Sequence, residues 1–466
     1  MSKWFETVLI ASGVLAAAVA RAQDTPRPEI AAIRLPDGAV VVDGFDTDWL
    51  RAGEDLPRCK AVSADPRLFA FAQPLRGGYA GPDDLSLEAW LATDSAAFYI
   101  LANVRDQLLA NTSSESLPFF GDDFEVFIDA SPAAERFAQT KGDNFRQLVF
   151  VPAYVNTAFT SVLIWSEKDA AGVAVASRAR PWGYTIELKI PKALFPNWQA
   201  HPDLDSIGFD IGINEADAPG VDCAHPAIKG ALMLLKAAPH FMSPRELGLL
   251  HLEQKPAALA QPLQAVPPPS VDQLVAALPA ATDATAADLA QQVLDFLPRP
   301  EAALAATAAL GCKQRPLQKA ALYVFAKRPE APAPAEAIQA FLAPAANAYG
   351  GIADVDLHQY AMMALAPRGK LPTVPDIFGL YARAEDPALR LTYVWALGVN
   401  GDRAIVPELV KLLYDGNLRV RMMAALSLGL LSDPLAIEPL KEMAAHDPHH
   451  YGRNQADISL KRIQAK

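Results

Sequence analysis

The residues best able to do chemistry in this 466-residue chain are carboxylates set close together. Asp43, Asp46 and Asp48 fall within one turn-like stretch, and Asp122, Asp123 and Asp129 surround a strand-like run. Calcium takes several oxygens at about 2.4 Å, which loops of alternating Asp can supply. On that ground Asp43, Asp46, Asp48, Asp122 and Asp123 are candidate calcium ligands. Neither cluster follows the EF-hand order. The plainer reading makes Asp43-Gly44 a turn and Asp122-Asp123 the cap of a strand. His446, His449 and His450 lie near Asp447 in an expected inter-helix loop, where they would hold a metal or simply face solvent. Ala425-Leu426-Ser427-Leu428-Gly429 imitates a nucleophile elbow with Ala in place of the first Gly. That motif needs a strand-to-helix turn, and here it sits inside a periodic helix, so it reads as coincidence. The sequence has no H-E-x-x-H, C-x-x-C, P-loop or G-x-G-x-x-G pattern. Glycoside hydrolysis needs two carboxyl groups at a defined separation, and nothing singles out two among 53 acids. No catalytic residue is assigned. The chain reads as a binding protein rather than an enzyme.

The elements that must position these residues fall into two halves. Up to about residue 253, short alternating runs are broken by turn residues: Ala39–Val42, Ser86–Thr93, Ala97–Val104, Phe124–Ile128, Arg146–Val151, Phe159–Trp165, Val173–Ser177, Tyr184–Ile190, Ile207–Ile213 and Gly248–Leu252. Many short strands at this spacing, with no helix of crossover length between them, predict an antiparallel β-sandwich over residues 23–253. Residues 254–270 are rich in Pro and lack an apolar period. Pro fixes φ and removes a donor, so this stretch is expected to be an extended linker. From 271 to 466 the period becomes helical. Ala364-Leu365, Ala396-Leu397 and Ser427-Leu428 occupy equivalent places, followed at a fixed distance by Val374-Pro375, Val406-Pro407 and Glu438-Pro439. A helix pair recurring at this interval, about 32 residues, predicts an all-α superhelical array of the HEAT or armadillo kind. The segments Ala286–Leu297, Glu301–Leu310 and Leu317–Ala326 read as earlier, more degenerate repeats.

The chain begins with Lys3, an apolar run from Val8 to Ala20 and an A-x-A site at Ala20-Arg21-Ala22. That order is a secretory signal peptide covering residues 1–22, which places the mature protein in the periplasm or outside the cell. The run is too short to span a bilayer, which takes about 20 apolar residues, and no other segment is apolar enough. A formal net charge of −12 and the lack of a basic stripe argue against nucleic acid or an anionic membrane as partner. Of three cysteines, Cys59 and Cys223 fall in the first domain and could pair in an oxidising compartment, leaving Cys312 over.

Six segments in order carry a resemblance: VVVDGFDTDW (Val40–Trp49), LEAWLATDSAAFYILANVRD (Leu87–Asp106), GDDFEVFIDA (Gly121–Ala130), GYTIELKIPKALF (Gly183–Phe195), IGFDIGINEAD (Ile207–Asp217) and ELGLLHL (Glu246–Leu252). Over about residues 29–253 the chain resembles the family 9 carbohydrate-binding modules, β-sandwiches attached to polysaccharide-degrading proteins. The second half resembles HEAT repeats, which are mostly protein-interaction scaffolds. The first resemblance implies a polysaccharide or oligosaccharide ligand, held by a Glu, an Arg and an Asn between aromatic rings. By order these are Glu125, Arg146 and Asn214, with Phe119 or Phe120 as one ring. Where the family can place a second ring, this chain has Asp217-Ala218-Pro219, so the sugar would be stacked from one side. The read from residues alone is different: Glu125 and Arg146 as a cross-strand ion pair and Asn214 as a turn residue. Structural calcium is also implied by the resemblance. Trp49, Trp90, Trp182 and Trp198 are expected to pack rather than bind sugar. Three functions follow: a secreted carbohydrate-binding protein tied to polysaccharide catabolism, with repeats that engage a partner protein; a scaffold whose sandwich no longer binds sugar; or a part of a glycoside-hydrolysing system.

Overall fold

The alternating runs of the first half form one continuous sheet that curls on itself. The structure, a computed structural model, describes chiefly residues 27–50, 85–109, 122–137, 142–152, 172–216, 247–256, 269–342 and 354–465 apart from 373 and 385, with short strand segments at 59–60, 63–64, 163–164 and 228–234. Its strands are β1 (Glu29–Arg34), β2 (Cys59–Lys60), β3 (Ser63–Ala64), β4 (Leu85–Thr93), β5 (Ala97–Asp106), β6 (Asp123–Asp129), β7 (Phe145–Phe150), β8 (Leu163–Ile164), β9 (Ala174–Arg180), β10 (Gly183–Pro191), β11 (Ser206–Ala216), β12 (Ile228–Met233) and β13 (Gly248–Pro256). The path runs β8-β7-β6-β11-β13-β1-β4-β5-β10-β9, with β12 beside β11, β2 beside β4 and β3 beside β12. Every pairing is antiparallel except those of β1, which lies parallel to both β13 and β4. β1 is therefore the seam between two halves that would otherwise be separate antiparallel sheets.

Side chains alternate along a strand, so each half turns one face inward. From β6, β7 and β11 the inner face carries Phe124, Val126, Ile128, Leu148, Phe150, Phe209, Ile211 and Ile213, and from β5 and β10 Phe98, Ile100, Tyr184, Ile186 and Leu188. Phe98 meets Phe209 edge-on at 5.4 Å, which links the halves across the core. Trp198 is fully buried in this core, on the helix α1 (Pro196–Ala200). On the other face of β4, β5 and β10, the segment 35–50 packs Leu35, Val40 and Trp49 against Tyr99 and Leu101. Within that segment Ala39–Val42 forms no strand; Val41 is exposed. Between β4 and β5 the Asp94 carboxylate holds a turn, accepting from the amides of Ala96 and Ala97 and from the Tyr99 hydroxyl.

The second half is helical throughout: α2 (Val271–Ala277), α3 (Ala286–Asp295), α4 (Ala302–Leu310), α5 (Arg315–Lys327), α6 (Ala335–Gln339), α7 (Val355–Leu365), α8 (Val374–Arg383), α9 (Pro387–Asn400), α10 (Val406–Leu412), α11 (Leu418–Leu431), α12 (Ile437–His446) and α13 (His450–Gln464). Polar caps start several of them, Ser270 in a capping box before α2, and Asp386 and Asn417 before α9 and α11. The repeat has a steric basis. A Cβ added at Gly398 would stand 2.5 Å from the Cα of Ser427, and one at Gly429 would stand 2.8 Å from the Oγ of Ser459. Glycine at one position of each pair thus lets the next helix approach backbone to backbone. Ser427 is buried, with its hydroxyl donating to the Val394 carbonyl, so the apparent nucleophile elbow is a packing contact.

The two halves touch. β9 ends the sheet path, and an edge strand leaves unpaired backbone groups. Helix α3 covers it: Gln291 donates to the Ala179 carbonyl, and Arg178 grips Asp295 through two bonds of 2.7 and 2.5 Å. Further along, Lys319 donates to the Gln107 carbonyl, and the Leu109 amide donates to the Tyr360 hydroxyl. One apolar cluster runs through both halves. The region read as a linker is shorter than expected, because β13 extends to Pro256 and α2 starts at Val271. Among the described residues no helix is long and apolar enough to cross a membrane.

Candidate functional site

Strand parity decides which predicted residues can meet. On antiparallel strands, directly paired residues point the same way. Asn214 pairs with Asp123, Gly212 with Glu125 and Asp210 with Phe127; on the other side Val149 pairs with Glu125 and Gln147 with Phe127. Asp123, Glu125, Gln147, Asp210 and Asn214 therefore share the face opposite the apolar core. Arg146 pairs with Ile128, a core residue, and so belongs to the other face.

The hydrogen bonds agree. The Arg146 guanidinium donates to the carbonyls of Asp143, Phe145 and Leu194, and lies 5.6 Å from the Phe195 ring in the core. Burial lowers its pKa from the usual value, only partly offset by the charge of Asp143. The expected cluster of Glu125, Arg146 and Asn214 is thus corrected at its middle member. Gln147, the next residue along, shares the face of Glu125 instead, with its Nε2 3.5 Å from a Glu125 carboxylate oxygen. A one-residue step in a strand moves a side chain to the opposite face. The run Leu148-Val149-Phe150-Val151 is apolar on both parities, so alternation in the sequence could not have shown it.

Asn214 donates to both carboxylate oxygens of Asp123, at 3.0 and 2.9 Å. Asp123 is fully buried, and its pKa is raised well above the usual carboxylate range, by burial first and then by the charge of Glu125. Gln147 and Asn214 are also buried, whereas Glu125 is half-buried and marks where the face opens. Two amides and several carboxyl groups on one face make an array of donors and acceptors, which suits a ligand carrying many hydroxyls. Phe119 and Phe120 lie outside the described residues, as do residues 1–26, most of the run 159–165 and Cys223. Cys312 is a free thiol, half-buried, donating to the Leu278 carbonyl.

Three of the acids considered for calcium serve the backbone. Asp48 accepts from the Val41 amide at 2.6 Å, Asp43 from the Phe45 amide at 2.8 Å and Asp122 from the Ala216 amide at 2.6 Å. Among the described residues no three acid, histidine or cysteine side chains gather as a metal site. As placed, these acids do not fit a calcium cage, and His446, His449 and His450 do not form one. His449 instead stacks on Tyr451.

An acid the sequence did not single out holds the opening turn. Glu187 on β10 is fully buried and accepts from the amides of Asp43 and Gly44, at 2.8 and 3.0 Å, and from the Trp49 indole at 2.8 Å. Burial raises its pKa to about 7 against the opposing pull of these donors.

Comparison with known proteins places both halves. Residues 71–229 match the family described as carbohydrate family 9 binding domain-like, and residues 375–461 match HEAT repeats. Two solved structures are similar over half of this chain: a carbohydrate binding module family 9 from Caldicellulosiruptor kristjanssonii in complex with cellotriose, and the same module in complex with glucose. Each is 19% identical and covers 50% of this chain; the matches span 100% and 98% of those chains, with TM-scores of 0.34 and 0.33. Among curated proteins, none matches the chain. The chain thus carries a family 9-like carbohydrate-binding domain followed by HEAT repeats.

Proposed function

We propose that the sheet domain binds an oligosaccharide or a polysaccharide, on the face that carries Glu125, Gln147 and Asn214. One observation carries this reading: these side chains share one sheet face within the segment that matches the carbohydrate family 9 binding domain-like family. Glu125, the most accessible of the three, accepts from sugar hydroxyls, and the amides of Gln147 and Asn214 complete the contact. The protein acts outside the cytoplasm, in the periplasm or as a secreted chain, in the service of polysaccharide breakdown. It supplies binding rather than catalysis, and its helical repeats engage a partner protein. The test is calorimetry of the full chain against glucose, cellotriose and a wider glycan panel. A bound glycan whose affinity falls at least about tenfold in Glu125→Ala supports the reading, since losing a charged hydrogen bond costs about 1.5–3 kcal/mol. A folded chain that binds none of the panel overturns it.

A second reading has its own support. Asp123, Gln147 and Asn214 are 0, 4 and 6% exposed, so this face offers little open surface to a sugar. In this reading the domain is a structural partner of the repeats, and the whole is a scaffold. The calorimetry separates the two, because in this reading the folded chain binds none of the glycan panel while its repeats still retain a partner.

A further inference from the structure

Helix α11 carries two arginines in its first turns, and their fates differ. Arg421 is satisfied: it grips Asp447 through Nε and Nη2 at 2.7 and 3.2 Å and donates to the carbonyls of Asp415 and Gly416. Arg419 is 1% exposed, and its Nε, Nη1 and Nη2 all lack a hydrogen-bond partner among the described residues. A buried cation without acceptors is strongly unfavourable, because nothing replaces its lost hydration. Burial lowers the pKa of Arg419 to about 10, with no neighbouring acid to oppose it.

The repeat shows that this arginine is not needed for packing. Gly398 and Gly429 mark the 31-residue step between α9 and α11, and the same step places Ala388 where Arg419 stands. Ala388 is fully buried, so a small apolar side chain suffices there. One repeat earlier, by the 32-residue step from Ala364 to Ala396, the position is Asp356, a charge held by Arg315 at 2.6 Å. Of these three positions, the one in α11 holds a charge with no acceptor against it among the described residues.

The direction of the side chain follows from the contacts of the helix. Leu418 and Met422 face Tyr451 and Ile458 of α13, Ser427 bonds to α9, and Arg421 turns back to the loop before α11. Two residues before Arg421, about 200° round the helix, Arg419 lies on the remaining side, in line with Leu426. Helical side chains tilt toward the N-terminus, where the helix dipole adds partial positive charge.

We propose that Arg419 and the start of α11 form a binding site for an oxyanion, a phosphate or carboxylate group that the planar guanidinium grips through two nitrogens. An anion there supplies the acceptors that the chain itself does not. Because Arg419 is almost fully enclosed, the ligand enters through a local opening and is shielded from water once bound.

The test is thermal unfolding of the full chain in sodium phosphate, sodium glucuronate and sodium chloride at equal ionic strength. One of the two oxyanions should raise the melting temperature by about 5 °C at saturation, as expected for a ligand well above its Kd, and the effective one tells phosphate from carboxylate. Arg419→Met should fold as well as the parent and show no rise. Should that variant fail to fold, Arg419→Lys keeps the charge without the two-pronged geometry and should show less than half the rise. No rise with either oxyanion, or an equal rise in the variant, overturns the proposal.

Discussion

Replacing Glu187 by Gln should change stability in a manner that depends on pH. Two effects oppose each other at this side chain. Three N–H donors, from Asp43, Gly44 and Trp49, favour the carboxylate, and burial favours the neutral acid. Burial wins, since the pKa stands near 7 rather than the ordinary 4.5. The folded state therefore holds a proton that the unfolded chain releases between about pH 4.5 and pH 7. Stability from this group is fully present below pH 4.5 and is lost as pH rises through 7. A shift of about 2.5 units corresponds to about 3 kcal/mol over that window. The substituted glutamine cannot titrate, so it escapes this loss, but its amide NH2 faces one of the three donors. An unsatisfied buried donor costs about 1–3 kcal/mol. At pH 4.5 the variant should be the less stable by that amount, and at pH 8.5 it should equal or exceed the parent. Urea unfolding of both proteins at the two pH values measures the difference. A gap that stays constant, or one that widens as pH rises, would mean that the donors outweigh burial and that Glu187 is ionised throughout, refuting the reasoning.

Three further outcomes follow from the packing. Gly398→Ala should lose about 2 kcal/mol: overpacking costs about 1–3 kcal/mol, and helix propensity returns at most about 1, read as a lower denaturation midpoint. Asp295→Asn keeps the shape but removes the charge that Arg178 grips between sheet and helices; a loss of about 1.5–3 kcal/mol is expected, and the double variant with Arg178→Met should recover part of it. Chelation with EDTA should leave the melting temperature unchanged, because a bound ion would stabilise only the folded state and Asp43, Asp48 and Asp122 already accept from backbone amides.

How far the sequence could be read varied with the range of the interaction. The runs 86–93, 97–104, 124–128 and 184–190 became β4, β5, β6 and β10 within two residues at each end, since alternation is a local signal. The helix pairs were legible for the same reason, from the recurrence of Ala364-Leu365 at Ala396-Leu397 and of Val374-Pro375 at Val406-Pro407. β1 was missed because EIAAIR shows no alternation and, in the fold, is largely half-buried. Its parallel pairing joins residues 29–34 to 249–256 and 92–93, a relation with no local trace. In the candidate site, Glu125 and Asn214 share a face because each stands between apolar core residues of its strand, Phe124 and Val126, and Ile213 and Ala216. Arg146 does not, and its strand, apolar on both parities, could not have shown it. Glu187 was overlooked although its alternation was plain, because its partners are backbone amides of a turn more than 140 residues away.

The contact between the halves changes what each is for. A sheet edge such as β9 must be paired, blunted or covered, and a helical array needs something to close its first repeat, since each repeat hides an apolar face only against a neighbour. Here the two needs meet: Gln291 supplies a donor to the edge carbonyl of Ala179, and α3 lays its buried residues Ala290, Val293 and Leu294 into the cluster that continues through the sheet. The Arg178–Asp295 pair fixes the angle of the joint. The sheet domain is thus the cap of the array, and the array is the cover of the sheet. Cutting the chain near residue 256 would expose an edge strand on one fragment and the apolar face of α3 on the other. Both fragments should lose cooperative unfolding or associate, visible as concentration-dependent melting. If the sheet fragment alone melted as sharply and at the same temperature as the full chain, the joint would be a mere contact, and the two halves would be free to act apart.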